Sequence, residues 1–507
     1  MAILFFLIAG RFGSASSNAA LLTISLIFAY SQGWLFSVVI ILSAAVNYFI
    51  VRSLITIPMT SENCAVRDRL FYVGLFINMG LLCIVKYTVV FKIIPPLFPP
   101  LAAFAATVGV TISFLTFQRV ALLIVAHKNA PEVRDLLSGP FGWLRYSVFV
   151  MMFQNLVIGP IAYVSEIEGQ LARYSFGRPR RVDLEIGLTL LVIGLAKKLL
   201  IADKLDAAVV EPVFEAAGSG LMIPPLEAVS GILGFYFQLY FDFSGYSDMA
   251  LGVARIFGLL LPINFNSPLR ATGIVDFYKR WHITLTRLIA TFMFTPLVLI
   301  GARFASEHDL SGWRSKIFSA WIPLIINFQI IAFWHGAQFT YLLFGLYHGL
   351  WFILESEARS SKIWKSYVRS TSPIFRRICG QALTIIPLSL SFALFKSSSV
   401  AAFGNLLSSF DGPWLQILYI RQDRVTTNIS LVYLIMAAMI VWLLPNTYEL
   451  LRNYRPGIFT YQVPSTTPIL LRLKWRPTPL WALFFGGISV WILFSLTYQN
   501  PFVYGGF

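Results

Sequence analysis

Apolar residues fall along this chain in long, nearly unbroken runs, not in the alternating pattern of half-buried strands. Runs with the length and continuity of membrane helices lie at 19–31, 34–52, 70–92, 101–126, 141–164, 184–201, 225–241, 283–301, 317–334, 338–354, 380–396, 428–444 and 479–497. The pattern predicts an all-α polytopic membrane protein. Several runs are interrupted: Gly159-Pro160 falls inside 141–164, and Pro95-Pro96 with Pro99-Pro100 separates 70–92 from 101–126. Lipid offers exposed backbone no hydrogen-bond partner, so broken helices are expected to be re-entrant and covered by protein or a water-filled cavity. The opening stretch Ala2–Ala9 lacks a basic flank or an Ala-x-Ala cleavage site and reads as part of a retained membrane segment. No internal repeat, low-complexity tract or soluble linker breaks the series, which predicts one membrane domain over 1–507.

Composition sharpens this. Of 507 residues, 57% are hydrophobic and 12% charged, whereas soluble chains carry roughly 25% charged residues. That excludes a soluble enzyme, a disordered regulator and a secreted disulfide scaffold. Lys and Arg number 39 against 23 Asp and Glu, a formal charge of +16. The stretch 355–377 holds Arg359, Lys362, Lys365, Arg369, Arg376 and Arg377 against Glu355 and Glu357, and 451–476 holds Arg452, Arg455, Arg472, Lys474 and Arg476 with no acid. Basic residues collect in cytoplasmic loops, so both stretches are assigned to the cytoplasm. Then 380–396 leaves, 428–444 returns and 479–497 leaves again, placing 397–427 and the tail from Tyr498 outside. Part of the excess also suits an anionic lipid, donor or polymer. No basic block interleaves with aromatics as a nucleic-acid platform would. Cys64, Cys83 and Cys379 have no C-x-x-C spacing and read as reduced thiols without metal.

The chemistry gathers in a core of about 237–351. Asp242, Ser244, Tyr246, Ser247, Asp248, Asn264, Asn266, Arg280, Trp281 and His282 crowd a stretch otherwise suited to lipid. Ionisable groups at membrane depth face a bundle interior or a cavity. A purely structural alternative pairs Asp248 with Arg255 at i,i+7 and uses the Asn side chains as helix caps near Pro262 and Pro268. The second feature is Trp334-His335-Gly336-Ala337, ending an apolar run. A neutral imidazole there could take a proton from a hydroxyl, as general-base catalysis of acyl transfer requires, or could simply be a satisfied core residue. His348 invites a metal reading, but the thirteen residues separating it from His335 span roughly 20 Å of straight helix. His127 and His308 read as surface. No G-x-S-x-G elbow and no phosphate-binding loop is present.

In these segments the chain resembles the membrane-bound O-acyltransferase (MBOAT) family, its nearest branch being similar to the bacterial alginate O-acetyltransferase-like proteins. The matching stretches are Gln238–Ala250 (QLYFDFSGYSDMA), Asn264-Phe265-Asn266 with Pro268, Arg280–Leu285 (RWHITL) and Trp334–Ala337 (WHGA). Weaker matches are Gly109–Phe117, Val157–Pro160, Gly194–Lys198 with Ala202-Asp203, and Asn500-Pro501-Phe502. One departure stands out. After RWHITL that branch continues with Arg-Asp-Tyr and an LGGNR-like turn, whereas this chain reads Thr286–Phe292 and then Gly301-Ala302-Arg303-Phe304.

The resemblance implies a helical bundle with re-entrant helices around a central tunnel, in the inner membrane of a bacterium. It makes His335 the catalytic histidine and His282 its supporting partner. Tyr246, Ser247, Asp248, Asn264, Asn266, Arg280, Trp281 and Trp334 become candidates for the substrate-lined tunnel wall. The implied reaction moves an acyl group, acetyl first, from a cytoplasmic thioester such as acetyl-CoA to hydroxyls of an exported or cell-envelope polysaccharide. A periplasmic acetyltransferase partner could carry the group onward. Charge on the tetrahedral oxygen needs donors, for which His282, Asn264 and Tyr246 are candidates. The thioester is already activated, so no bound cofactor or metal is expected. Within the class, the acceptor could also be peptidoglycan, teichoic acid or a lipid. The rival class is a transporter or flippase of a lipid-linked glycan using the same polar cavity without chemistry.

Overall fold

Helices account for nearly all the regular structure of the described residues. The computed structural model describes residues 1–90, 99–156, 158–412, 424–459 and 473–496, and among them the strand-like pairing is one isolated bridge between Pro262 and Ile458. The Pro95-Pro96 break, residues 413–423 and 460–472 of two predicted loops, and the tail from Tyr498 lie outside the described residues.

In chain order the main helices are α1 (Trp34–Thr56), α2 (Cys64–Val90), α3 (Pro99–His127), α4 (Arg181–Leu195), α5 (Pro225–Ile256), α6 (Ile283–Glu307), α7 (Gly312–His335), α8 (Phe339–Ser360), α9 (Pro373–Lys396), α10 (Arg424–Leu443) and α11 (Pro479–Ser495). Five of them, α1, α2, α6, α7 and α9, are long and apolar enough to cross a membrane, and α11 with parts of α3 and α10 are shorter apolar helices. Their outward side chains are apolar and exposed, including Phe76, Leu354, Leu383 and Phe494. That is the surface a bilayer covers. The protein is an all-α polytopic membrane protein.

Several expected boundaries move. The opening helix Ala2–Gly10 has 9 residues, about 14 Å, too short to cross. The predicted run 141–164 is not one span: it divides into Gly142–Met151, Phe153–Leu156 and, past Gly159-Pro160, Val164–Ala172. Proline disfavours helix in the residue before it and removes a donor. The broken backbone is covered by protein, as expected of such breaks. Ile158 N donates to Tyr246 Oη at 3.3 Å and Ile161 N to Thr284 Oγ1 at 3.1 Å.

The predicted run 225–241 continues through the polar motif to Ile256, because each charge finds a partner. Helix α5 is the buried axis of the bundle. Lys198 Nζ bonds Asp242 at 2.7 Å and Asp203 at 2.9 Å, and Lys197 Nζ bonds Asp248 at 2.7 Å. Both lysines lie in a π-helical turn, Ala196–Ala202, that continues α4. The wider turn presents two consecutive side chains to one neighbour. Arg255 pairs with Asp183 at 2.8 Å, so the i,i+7 pairing with Asp248 is not the one formed. Helices α4 and α5 cross through glycine: a Cβ on Gly252 would sit 2.6 Å from Gly187 O, and one on Gly194 2.5 Å from Gly245 O. Backbones approach this closely only where side chains are absent.

Two links bring the basic segments to one end of the bundle. Arg270 Nε donates to Val441 O at 2.7 Å, and its guanidinium also reaches Leu444 O, capping the last carbonyls of α10. Beside it, Ile274 N bonds Glu355 at 2.6 Å, and Arg359 reaches Thr272 O at 3.2 Å. The end of α8 and the end of α10, each followed by a basic stretch, therefore share a side.

Candidate active site

Helices α6 and α7 form an antiparallel hairpin whose turn lies near His308–Ser311. His282 immediately precedes α6 and His335 ends α7, so both histidines lie at the end of the hairpin away from its turn. Helix α8 folds back along α7, and Lys316 Nζ bonds Glu357 at 2.7 Å at the other end. The His335 ring packs at 6.4 Å from Tyr341 on α8. At 1.5 Å per residue, the helix from Tyr341 to Glu355 covers about 21 Å. His335 is thus deep in the bundle, far from the basic end.

A cavity of about 260 Å³ holds both rings. Its wall is mostly apolar, including Leu285, Ile331, Phe344 and Phe392, with Trp281, Thr286 and Asn327 among the polar-tipped residues. Phe352, one turn from Glu355, also lines it, so the space extends along α8 toward the basic end.

His282 is fully enclosed, with a backbone φ of 43° in the left-handed region. For a residue with a side chain that conformation costs about 1–2 kcal/mol, and the surroundings enforce it. Asn264 O accepts from Ile283 N at 2.9 Å, and Asn264 Oδ1 accepts from Thr284 Oγ1 at 2.6 Å. The ring lies edge-on to Phe243 at 4.7 Å and stacks on Phe114 at 5.9 Å. Among the described residues neither ring nitrogen of His282 has a hydrogen-bond partner. A buried imidazole without partners is costly unless a ligand or water meets it. The Oδ1 of Asn327 is likewise without a partner. His335 is held between Trp334 at 4.5 Å and the edge of Phe395 at 4.9 Å.

The structure brings together His335, His282 and Trp281, and leaves the other sequence candidates off the cavity wall. Asp248 is bound to Lys197 and Thr447. Asn264 also donates to Ser247 Oγ at 3.3 Å, which ties the His282 turn to α5. Tyr246 accepts from Ile158 N, and neither it nor Asn264 lines the cavity. Asn266 accepts from Asn446 at 3.1 Å, and Arg280 pairs with Asp276 at 2.7 Å. Trp334 packs on Phe114 and Phe117 behind His335, and Lys86 of α2 donates to its carbonyl, capping the end of α7. Of the two Asn residues, Asn264 caps α6, through Thr284 N at 3.4 Å, rather than a helix near Pro262, and Asn266 bonds the Asn446 side chain instead of a helix end. His348 has both nitrogens engaged, Nδ1 with Tyr278 Oη at 2.8 Å and Nε2 with Ser391 Oγ at 2.9 Å. His127 meets Asp68 at 2.7 Å, and His308 is exposed.

Sequence reasoning passed over Asn327 and Lys86. The signal for Asn327 was periodic: Leu324, Asn327, Phe328, Ile331 and His335 recur at helical spacing and all line the cavity. Lys86 carried a weaker one, a cation inside an apolar run. Thr286, Ile289, Ala290 and Phe294 also line the cavity. They belong to the segment where this chain lacks the Arg-Asp-Tyr triplet, so the departure falls on the cavity wall itself.

The family model of the membrane-bound O-acyltransferases matches residues 19–361. A peptidoglycan O-acetyltransferase of Helicobacter pylori is 34% identical over 328 residues, 61% of this chain and 58% of its own length. A probable alginate O-acetylase AlgI of Pseudomonas aeruginosa is 32% identical over 247 residues, 48% of this chain and 42% of its own. A teichoic acid D-alanyltransferase of Streptococcus thermophilus is 27% identical over 252 residues, 48% of this chain and 55% of its own. The chain spans about half the length of the curated relatives it matches.

Proposed function

Since the chain belongs to the membrane-bound O-acyltransferase family, we propose that it is an O-acyltransferase, moving an acetyl group from a cytoplasmic thioester to hydroxyls of a cell-envelope or exported polysaccharide. The observation that carries the reading is the convergence of His335 and His282, from two separate motifs, on one buried cavity with the nitrogens of His282 unpartnered. Relatives named for the O-acetylation of peptidoglycan and alginate support a glycan acceptor and an acetyl group, and this reading assigns acetyl-CoA as the donor. The bacterial inner membrane is the fitting location, with the basic end of the bundle in the cytoplasm.

In this reading the acceptor hydroxyl approaches His335, whose neutral imidazole removes the proton as oxygen attacks the thioester carbonyl. The C–S bond then breaks, the sulfur leaves as a thiol after taking the proton from the imidazolium, and an ester remains. Negative charge on the tetrahedral oxygen needs a donor already in place. The His282 ring, held in a left-handed turn and bonded to no described protein atom, is positioned to supply one. Apolar walls exclude water, which strengthens that hydrogen bond and protects the thioester from hydrolysis.

The test is radiolabelled acetyl transfer by the protein in membranes, comparing wild type with His335→Gln. Glutamine keeps bulk and a hydrogen bond but cannot act as the base, so activity should fall about 10²–10⁴-fold. A His335→Gln protein that inserts stably and transfers at near wild-type rate would refute the role of His335.

A further inference from the structure

Behind α5, on the face away from the histidines, lies a larger slot of about 580 Å³, walled by Tyr240 and Phe241 where the histidine cavity has Leu239. Its outer wall is α11, which buries only Phe485 and Ile492 and so stands off from the bundle. Trp481, Phe484 and Ile488 face the gap, with Ile440, Val441 and Leu444 across from them. The polar groups on the wall are already engaged. Lys197 is held by Asp248 and Thr447, and Arg270 by carbonyls of Val441 and Leu444 with Glu449 at 3.5 Å.

The rim differs from the wall. Leu450 and Leu473 line the slot at the basic end, and Trp475 N bonds Leu450 O at 3.0 Å, drawing two cationic segments together. Tyr454 closes the joint, edge-on to Trp475 at 5.1 Å. Arg455, Lys474 and Arg476 are exposed there, and among the described residues none of them forms a salt bridge. The nearby carboxylate of Glu449 is occupied by Asn446 N at 2.9 Å and by Arg270.

We propose that this slot binds an anionic phospholipid, one acyl chain lying along α11 and the phosphate held by Arg455, Lys474 and Arg476. An apolar cleft stays dry and takes apolar groups, and in a membrane the adjacent apolar material is an acyl chain. These three cations, beside Leu473 and the Leu450–Trp475 joint and without a salt bridge among the described residues, select the headgroup, since basic pockets between helices attract anionic lipids. The site is separate from the histidine cavity and independent of the acyl-transfer reading.

Trp481 is a built-in reporter. The full-length protein is placed in bilayer nanodiscs containing phosphatidylglycerol or phosphatidylcholine with brominated chains, which quench tryptophan on contact. The Trp481 signal is the difference between wild type and Trp481→Phe. Brominated phosphatidylglycerol should quench Trp481 at a mole fraction at least about tenfold lower than brominated phosphatidylcholine, and added salt should narrow that gap. The triple variant Arg455→Gln/Lys474→Gln/Arg476→Gln should lose the preference; the salt titration of wild type provides the same reading where that variant misfolds. Equal quenching by the two lipids, the behaviour of ordinary annular lipid, would overturn the proposal. So would no quenching by either. Stronger displacement of the brominated lipid by palmitoyl-CoA than by unlabelled phosphatidylglycerol would make the slot a donor site, and would overturn it too.

Discussion

Asp248 belongs to the densest motif of the chain yet lies off the cavity wall, so its replacement separates a structural latch from a substrate contact. It is fully buried, and its carboxylate accepts from Lys197 Nζ and from Thr447 Oγ1, each at 2.7 Å. The side chain of Lys197 is only 13% exposed. Asp248→Asn removes the counter-charge and leaves a buried ammonium, and breaking such a pair from one side costs about 3–5 kcal/mol. Against a total stability of about 5–15 kcal/mol, that is a large share. The double variant Lys197→Met/Asp248→Asn removes both charges and keeps an acceptor for Thr447, so most of the loss should return, a coupling of about 2–3 kcal/mol. Melting temperature and monodisperse fraction are read by fluorescence-monitored gel filtration in detergent, with acyl transfer measured on the same samples. Each single variant should lose stability and activity together, and the double should recover both. An Asp248→Asn protein as stable as wild type but inactive would place the carboxylate on substrate. A double variant no better than the worse single one would show that the pair is not coupled.

In a cysteine-free background, Ser370→Cys and Lys474→Cys should label from the same face of sealed vesicles and Ser398→Cys from the other, because Arg270 and Glu355 tie the ends of α8 and α10 together; Ser370 and Lys474 labelling from opposite faces would break this topology. His348→Phe should lower the melting temperature, since it removes the hydrogen bonds to Tyr278 and Ser391, each worth about 0.5–1.5 kcal/mol, while the folded fraction keeps its turnover; lost turnover at unchanged stability would assign His348 to the chemistry. Ala290→Phe, on the cavity wall, should reduce kcat/KM by tenfold or more, about 1.4 kcal/mol of transition-state binding, with the melting temperature nearly unchanged because the ring enters open cavity space; an equally active variant would show that substrate does not occupy this part of the cavity.

How much of this was legible in the sequence depends on what each feature answers to. The hairpin of α6 and α7 was readable because apolar runs of membrane length specify helices through the solvent, whatever their neighbours are. Its ends were readable as well: RWHITL and WHGA flank it, and two length-matched helices joined by a short polar turn must bring their outer ends together. That step, from two motifs to one cavity, needs only the connectivity. The extent of α5 was not readable, because the apolar run stops at Phe241 while the helix continues for as long as Lys197, Lys198 and Asp183 neutralise its charges from other segments. The same dependence applies to Asp248, Asn264 and Tyr246, whose polarity is met by protein partners away from the cavity wall. Polarity in an apolar stretch signals that a partner exists, but not whether the partner is protein or substrate. One clue was in reach: Gly187 and Gly194 repeat the seven-residue spacing of Gly245 and Gly252, and such paired spacings place two backbones in contact. A helix pinned that closely has its polar side chains committed to its neighbour. By that criterion the charged motif residues facing α4 are latches, whereas His282 and His335, at the ends of separate helices, line one cavity.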